Sequence, residues 1–197
     1  GGPDMAKYTT PRIVLGLSLW LSLAAPSFAD DLQEASALYR QGKDAQALEY
    51  VDRFLRGHPK DDAQARFLKG VLLTETGRTQ EAIQVFTQLA EDHPELPEPY
   101  NNLAVIYASQ EQYDKARQAL ELAIQANPGY AMAHENLGDL YVRMASREYA
   151  GAQRLDPGNT NIQEKALRAS TLLSGSRFAA PASPRKGGAT RRSSAAR

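Results

Sequence analysis

Three prolines, Pro59, Pro94 and Pro128, close three blocks of the chain at spacings of 35 and 34 residues, and no other feature limits the fold so strongly. The residue types inside the blocks repeat as well. Ala47, Ala82 and Ala116 each stand 12 residues before the closing proline, and Val51, Phe86 and Leu120 stand eight before it. Self-similarity at such a period marks a stack of helix–turn–helix units, none of which can bury its apolar face alone. Within a block, apolar residues recur at three- and four-residue steps, as in Ala82, Ile83, Phe86 and Leu89; that spacing puts them on one side of a helix. A small side chain at the alanine position lets two helices cross closely. Proline cannot continue a helix, so each one marks the handover to the next unit. Gly42 and Gly77 stand where the two helices of a block turn, a place suited to positive φ. The third block has Glu111 there, which predicts a turn built on other chemistry.

The fourth block departs from the pattern. His134, Leu137, Gly138 and Tyr141 open it, and Ala145, Tyr149, Ala152 and Pro157 close it. Ala145 stands only four positions after Tyr141 where nine are expected, so the five residues of the turn are missing. Leu137, Tyr141, Ala145, Tyr149, Ala152 and Leu155 keep helical spacing throughout, which predicts one helix from Ala131 to Arg154, about 36 Å long. A tight turn at Met144-Ala145-Ser146 is the alternative. Thr160 to Ser174 then forms a helix with Ile162, Ala166, Ala169 and Leu173 on one face, a cap for the last apolar surface of the stack. The expected division is residues 30–157 as solenoid, 158–175 as capping helix and 176–197 as a basic Ala/Pro/Ser/Arg tail, expected to be disordered.

These blocks resemble tetratricopeptide repeats (TPRs). The match is fullest at Tyr100, Leu103, Ala104, Tyr107, Ala116, Leu120, Ala123 and Pro128, and the second block carries it through Gly70, Gly77, Ala82, Phe86 and Pro94. The first block keeps Ala35, Leu38, Gly42, Ala47 and Pro59 but lacks the aromatic start. The resemblance implies an all-α, right-handed solenoid of about three regular helix hairpins, a fused fourth repeat and a capping helix. It also implies a protein-binding scaffold whose first helices line a concave groove. The positions that would face the groove are Tyr39 and Arg40 in the first repeat and Phe67, Val71 and Thr74 in the second. The third adds Glu98, Asn101, Asn102 and Val105, and the fourth Met132, Glu135, Asn136, Asp139 and Arg143. Asn102 and Asn136 hold one repeat position; amides there suit an extended peptide backbone, with a structural bond to a neighbouring turn as the other reading. Tyr100 is expected to pack between helices. Members that clamp a C-terminal carboxylate use Lys and Arg where this chain has Leu32, Ser36 and Leu68, which argues against that ligand.

Little in the sequence points to chemistry. The chain has no cysteine and three histidines, and His58 and His93 stand just before closing prolines, where they read as turn residues. No Gly-rich phosphate loop or nucleophile elbow is present. The expectation is therefore no catalysis, metal or cofactor. Residues 1–29 read as a signal peptide: Lys7 and Arg12 precede an apolar run from Ile13 to Leu23, and Ser27-Phe28-Ala29 fits a cut before Asp30. That run is too short to span a bilayer, which takes about 20 residues, although retention as an anchor is the other outcome. Met5 is a plausible start. The expected location is secreted across the inner membrane, in the periplasm. Residues 30–175 carry 15 basic and 22 acidic side chains, a net of −7, while residues 176–197 carry six basic and none acidic. An acidic body does not suit nucleic acid. The expected partner is another protein, offering an extended or helical segment. Two further readings stand beside this one: an accessory to a peptidoglycan-modifying, transpeptidase-related system, and a solenoid that assembles with itself.

Overall fold

A computed structural model describes residues 28–57 and 62–175. The expected signal peptide, the turn at His58 to Asp61 and the basic tail lie outside those residues, apart from Phe28 and Ala29, which open the first helix. Eight α-helices and no strands make up the described residues. They are α1 (Phe28–Arg40), α2 (Asp44–Gly57), α3 (Ala63–Glu75), α4 (Thr79–Asp92), α5 (Pro97–Ser109), α6 (Tyr113–Ala126), α7 (Ala131–Leu155) and α8 (Thr160–Gly175). Consecutive helices pair as antiparallel hairpins, and the first helix of each hairpin lies on the second helix of the one before. The first helices also touch each other, α1 with α3 and α5 with α7. An all-helical solenoid is the result, as the periodicity predicts.

The alanines explain how closely the helices approach. Ala47, Ala82 and Ala116 are wholly buried, each at the crossing of its own hairpin. Gly70 does the same work from the first helix of the second hairpin. A Cβ on it would stand 2.6 Å from the Phe86 ring, closer than carbon atoms pack. Phe86 is itself fully buried and meets Phe67 in a tilted ring contact with centroids 5.7 Å apart. Around these residues Leu72, Leu73, Leu120 and Leu140 belong to one core cluster that extends from Ala35 in α1 to α7. Ion pairs brace its edge: Lys69 with Asp52 at 2.7 Å ties the second hairpin to the first, and Arg66 with Asp92 at 2.7 Å joins the two arms of the second.

Helix ends follow from local chemistry. The Asp62 carboxylate accepts from the Ala65 N–H at 2.8 Å and caps α3. Pro97 opens α5, where its missing N–H goes unneeded. The Asn159 side chain accepts from the Ile162 N–H at 3.2 Å at the start of α8. Gly42 and Gly77 turn their hairpins at φ of 75° and 76°. Glu111 does so at φ 58°, so the third turn is not built on other chemistry. It has the same left-handed geometry on an L residue, held by the Gln112 N–H donating to the Tyr107 carbonyl at 2.9 Å.

The last hairpin differs in proportion. α7 is one continuous helix of 25 residues and α8 has 16. They join through Asp156-Pro157-Gly158-Asn159 and pack antiparallel. The capping helix is thus the second arm of the fourth hairpin, and the fused helix is its first.

Candidate functional site

The two sides of α5 define the two sides of the molecule. Tyr100, Leu103 and Tyr107 point toward α4 and α6, where they floor a cleft of about 440 Å³ walled by Thr87, Ala90, Lys115, Ala119 and Leu122. The Tyr100 hydroxyl donates to the Ala90 carbonyl at 3.2 Å, so this ring packs between helices, as expected. Lys115 stands over the Tyr107 ring at 5.6 Å. This is the convex side. Residues half a helical turn away, Glu98, Val105 and Ser109, face the other way. The main packing of α5 is on α4, α6 and α7, and Glu98 and Val105 are half-buried and Ser109 exposed.

Of the residues expected in the groove, Arg40, Thr74 and Glu135 are exposed, and Val71, Glu98, Val105, Met132, Asp139 and Arg143 are half-buried; Phe67 is half-buried too, its ring against Phe86. The Thr74 hydroxyl donates back to the Gly70 carbonyl at 2.9 Å. The floor is apolar, through Val71, Val105 and Met132. The charged groups around it are Glu75, Glu98, Glu135 and Asp139 against Arg40 and Arg143.

Four expected groove residues are interior instead. Tyr39 is buried in the core of the first hairpin. Asn101 and Asn136 are fully buried and Asn102 nearly so. The Asn136 amide donates to the Asn101 side-chain oxygen at 2.7 Å across the α5–α7 junction, and Asn101 Nδ2 points at the Met132 sulfur at 3.8 Å. Asn102 donates to the Glu98 carbonyl of its own helix at 2.8 Å. These amides answer structural needs, because a buried amide left without a partner is costly; they do not reach a ligand. Beside them, burial and the nearby Glu98 carboxylate push the Tyr130 phenol up to about 12.

Sequence reasoning missed a wider opening at the amino-terminal end. Leu32, Gln33, Ser36, Arg40, Asp62 and Gln64 line a cleft of about 780 Å³ between α1 and α3. Gln33 holds the repeat position of Asn102 and Asn136, so the signal that singled out those two applied to it as well. The convex cleft was equally unforeseen, since its aromatic floor reads as core. Among the described residues no three His, Asp or Glu side chains gather as a metal site would require.

Tetratricopeptide-repeat family models match residues 32–97 and 73–140, together more than half of the 197-residue chain. The chain belongs to the tetratricopeptide repeat family. A curated relative, the chloroplastic TPR domain-containing protein PYG7 of Arabidopsis thaliana, is 33% identical over 85 residues. That alignment covers 41% of this chain and 27% of the relative, so the TPR chain spans about a quarter of that protein's length. Among solved structures, MamA from Desulfovibrio magneticus RS-1 is similar with a TM-score of 0.54 at 20% identity, over 76% of this chain and 93% of MamA. YrrB, a TPR protein with an unusual peptide-binding site, matches with a TM-score of 0.50 at 18% identity, over 79% of this chain and 88% of that one. At these identities the likeness establishes the TPR solenoid. As a TPR solenoid the chain has the architecture of a protein–protein interaction scaffold.

Proposed function

We propose that this TPR protein is a non-catalytic scaffold that holds a peptide segment of an envelope protein in its concave groove. One observation carries the reading: on the side of the first helices away from the convex cleft, the apolar Val71, Val105 and Met132 are only half-buried. A helix that showed apolar side chains to water on one face with nothing to bury them would gain from a partner. Val71, Val105 and Met132 supply the anchors. Glu75, Glu98, Glu135 and Asp139 outnumber Arg40 and Arg143 around them, so the segment carries a basic residue beside its apolar ones. The Asn136–Asn101 bond fixes α7 relative to α5, which keeps that part of the groove in one shape before a partner arrives. The apolar run at Ile13 to Leu23, with its small-residue cut, supports export to the periplasm as the setting.

Crosslinking in intact cells followed by mass spectrometry tests this. The parent chain is expected to capture one or a few envelope proteins. Val71→Asp with Val105→Asp should lose them while Leu122→Asp, on the convex side, keeps them. Loss through Leu122→Asp alone would place the site on the opposite surface and sink the proposal.

A further inference from the structure

We propose that two copies of this TPR chain pair through their convex sides, each placing Leu122 in the other's cleft between α4 and α6, with Lys115 of one copy facing Glu91 of the other. A neighbouring junction of the same chain shows why that surface calls for a cover. Between the first and second hairpins, the repeat positions of Thr87 and Leu103 are held by Asp52 and Lys69. Those two pair at 2.7 Å and dress the junction for water. The position of Tyr100 is held there by Arg66, paired with Asp92 at 2.7 Å, and that of Leu122 by Gln88. One repeat later the ion pairs are gone, leucine and tyrosine stand in place of the long polar side chains, and a cleft of about 440 Å³ remains.

The patch holds a knob and a hollow together. Leu122 is 46% exposed, so burying it is favourable. It borders both that cleft and a second of about 390 Å³ reached past Pro94 and Gln125, which sets an exposed leucine beside two hollows. The patch also holds both signs of charge. Glu91 on α4 and Lys115 on α6 are exposed at the walls of the larger cleft. Neither has an oppositely charged partner among the described residues; the Lys115 ammonium stands over the Tyr107 ring instead.

A two-fold axis sets a surface against itself, so a residue that meets a second one is met by it in return. Leu122 then enters a cleft twice, and Lys115 meets Glu91 twice. Exposed ion pairs contribute little alone; the leucines and tyrosines supply the gain, and the charges set the register. This self-complementarity favours a second copy over an unrelated chain, which would have to supply knob, hollow and both charges anew. Glu98 and Val105 face away from this side, so the grooves of both copies stay free for the peptide segment proposed above.

Sedimentation of the full-length chain across a dilution series tests the pairing. The parent is expected to sediment as two copies and to fall toward one as it is diluted. Lys115→Glu and Glu91→Lys should each weaken association by about tenfold or more, since each sets like charges face to face twice. The double variant carrying both changes restores opposite charges across the axis and should return to within about threefold of the parent. Leu122→Asp should leave a single copy with unchanged helical circular dichroism, and Val71→Asp with Val105→Asp should leave the pair intact. A parent that stays single at about 100 μM overturns the proposal. So does a pair that ignores Leu122→Asp, or a double charge exchange that fails to restore what the single ones lose.

Discussion

The second and fourth hairpins carry glycine at the same repeat position, and the two glycines do opposite things. Gly70 is needed because the Phe86 ring leaves no room for a Cβ. Gly138 looks into open space, in a hairpin whose arms are unequal, 25 residues against 16. A repeat motif thus preserves residue types beyond the packing that explains them in its neighbours. The contrast also separates two kinds of stability. α3–α4 is held by close approach on both arms, whereas α7–α8 is held along its outer half by Ala166, Ala169 and Leu173, with Leu167 at 66% and Leu172 at 65% exposure.

The sharpest way to separate the hairpins is to remove their contacts in turn. Phe86→Ala should destabilise the protein by about 3–5 kcal/mol; Leu167→Ala should stay within about 0.5 kcal/mol. Equal losses in chemical denaturation would abolish the distinction. Asn136→Ala should cost about 1–3 kcal/mol, because the Asn101 oxygen is left buried without its donor. An unchanged melting temperature would return that amide to the list of surface groups. The glycines test the contrast directly. Gly70→Ala should lose about 1–2 kcal/mol through overpacking against Phe86, while Gly138→Ala should gain up to about 1 kcal/mol of helix propensity. A matching sign for both would refute the packing difference. Glu111→Gly should stabilise the third turn by about 1 kcal/mol or less, relief of the left-handed strain being offset by glycine's greater freedom when unfolded. A loss on thermal denaturation would show that the side chain matters there.

The smallest effect concerns pH. The fold favours the neutral Tyr130 phenol, raised from 10.0 to about 12. Its contribution is therefore complete below pH 10 and lost as pH rises from 10 toward about 12. Tyr130→Phe should flatten stability over that window, and an unaltered slope would count against the shift.

The fold was legible because its causes are local and repeated. Ala47, Ala82 and Ala116, the turn glycines and the five-residue deletion after Tyr141 each have a direct structural consequence. The turn at Glu111 was misread because residue preference was taken for geometry: neighbouring hairpins impose a left-handed turn that Glu tolerates at a cost. The groove was legible only in part. Helical spacing places Glu98, Asn101, Asn102 and Val105 on one side of α5, but it does not say how deep α7 sits against that side. Burial at Asn101 and Asn136 is set by a contact 35 residues apart in sequence, beyond any local pattern. The open space beside Gly138 accompanies the unequal lengths of α7 and α8, which a motif match does not compare.

A chain of near-identical hairpins faces a problem of order, because each first helix could settle on the wrong neighbour. The bond from Asn136 to Asn101 bears on that problem. The repeat position of Asn101 is held by Phe67 in the second hairpin and Leu32 in the first, so α7 docked on α3 or α1 would bury the Asn136 amide against a hydrocarbon. Asn102, whose equivalent neighbour is Phe67, finds its acceptor within its own helix and is indifferent to the choice. Mispairing is a characteristic failure of repeat proteins during folding. In this chain one buried amide pair acts as an address, accepting α5 beneath α7 and penalising every other sequence of assembly.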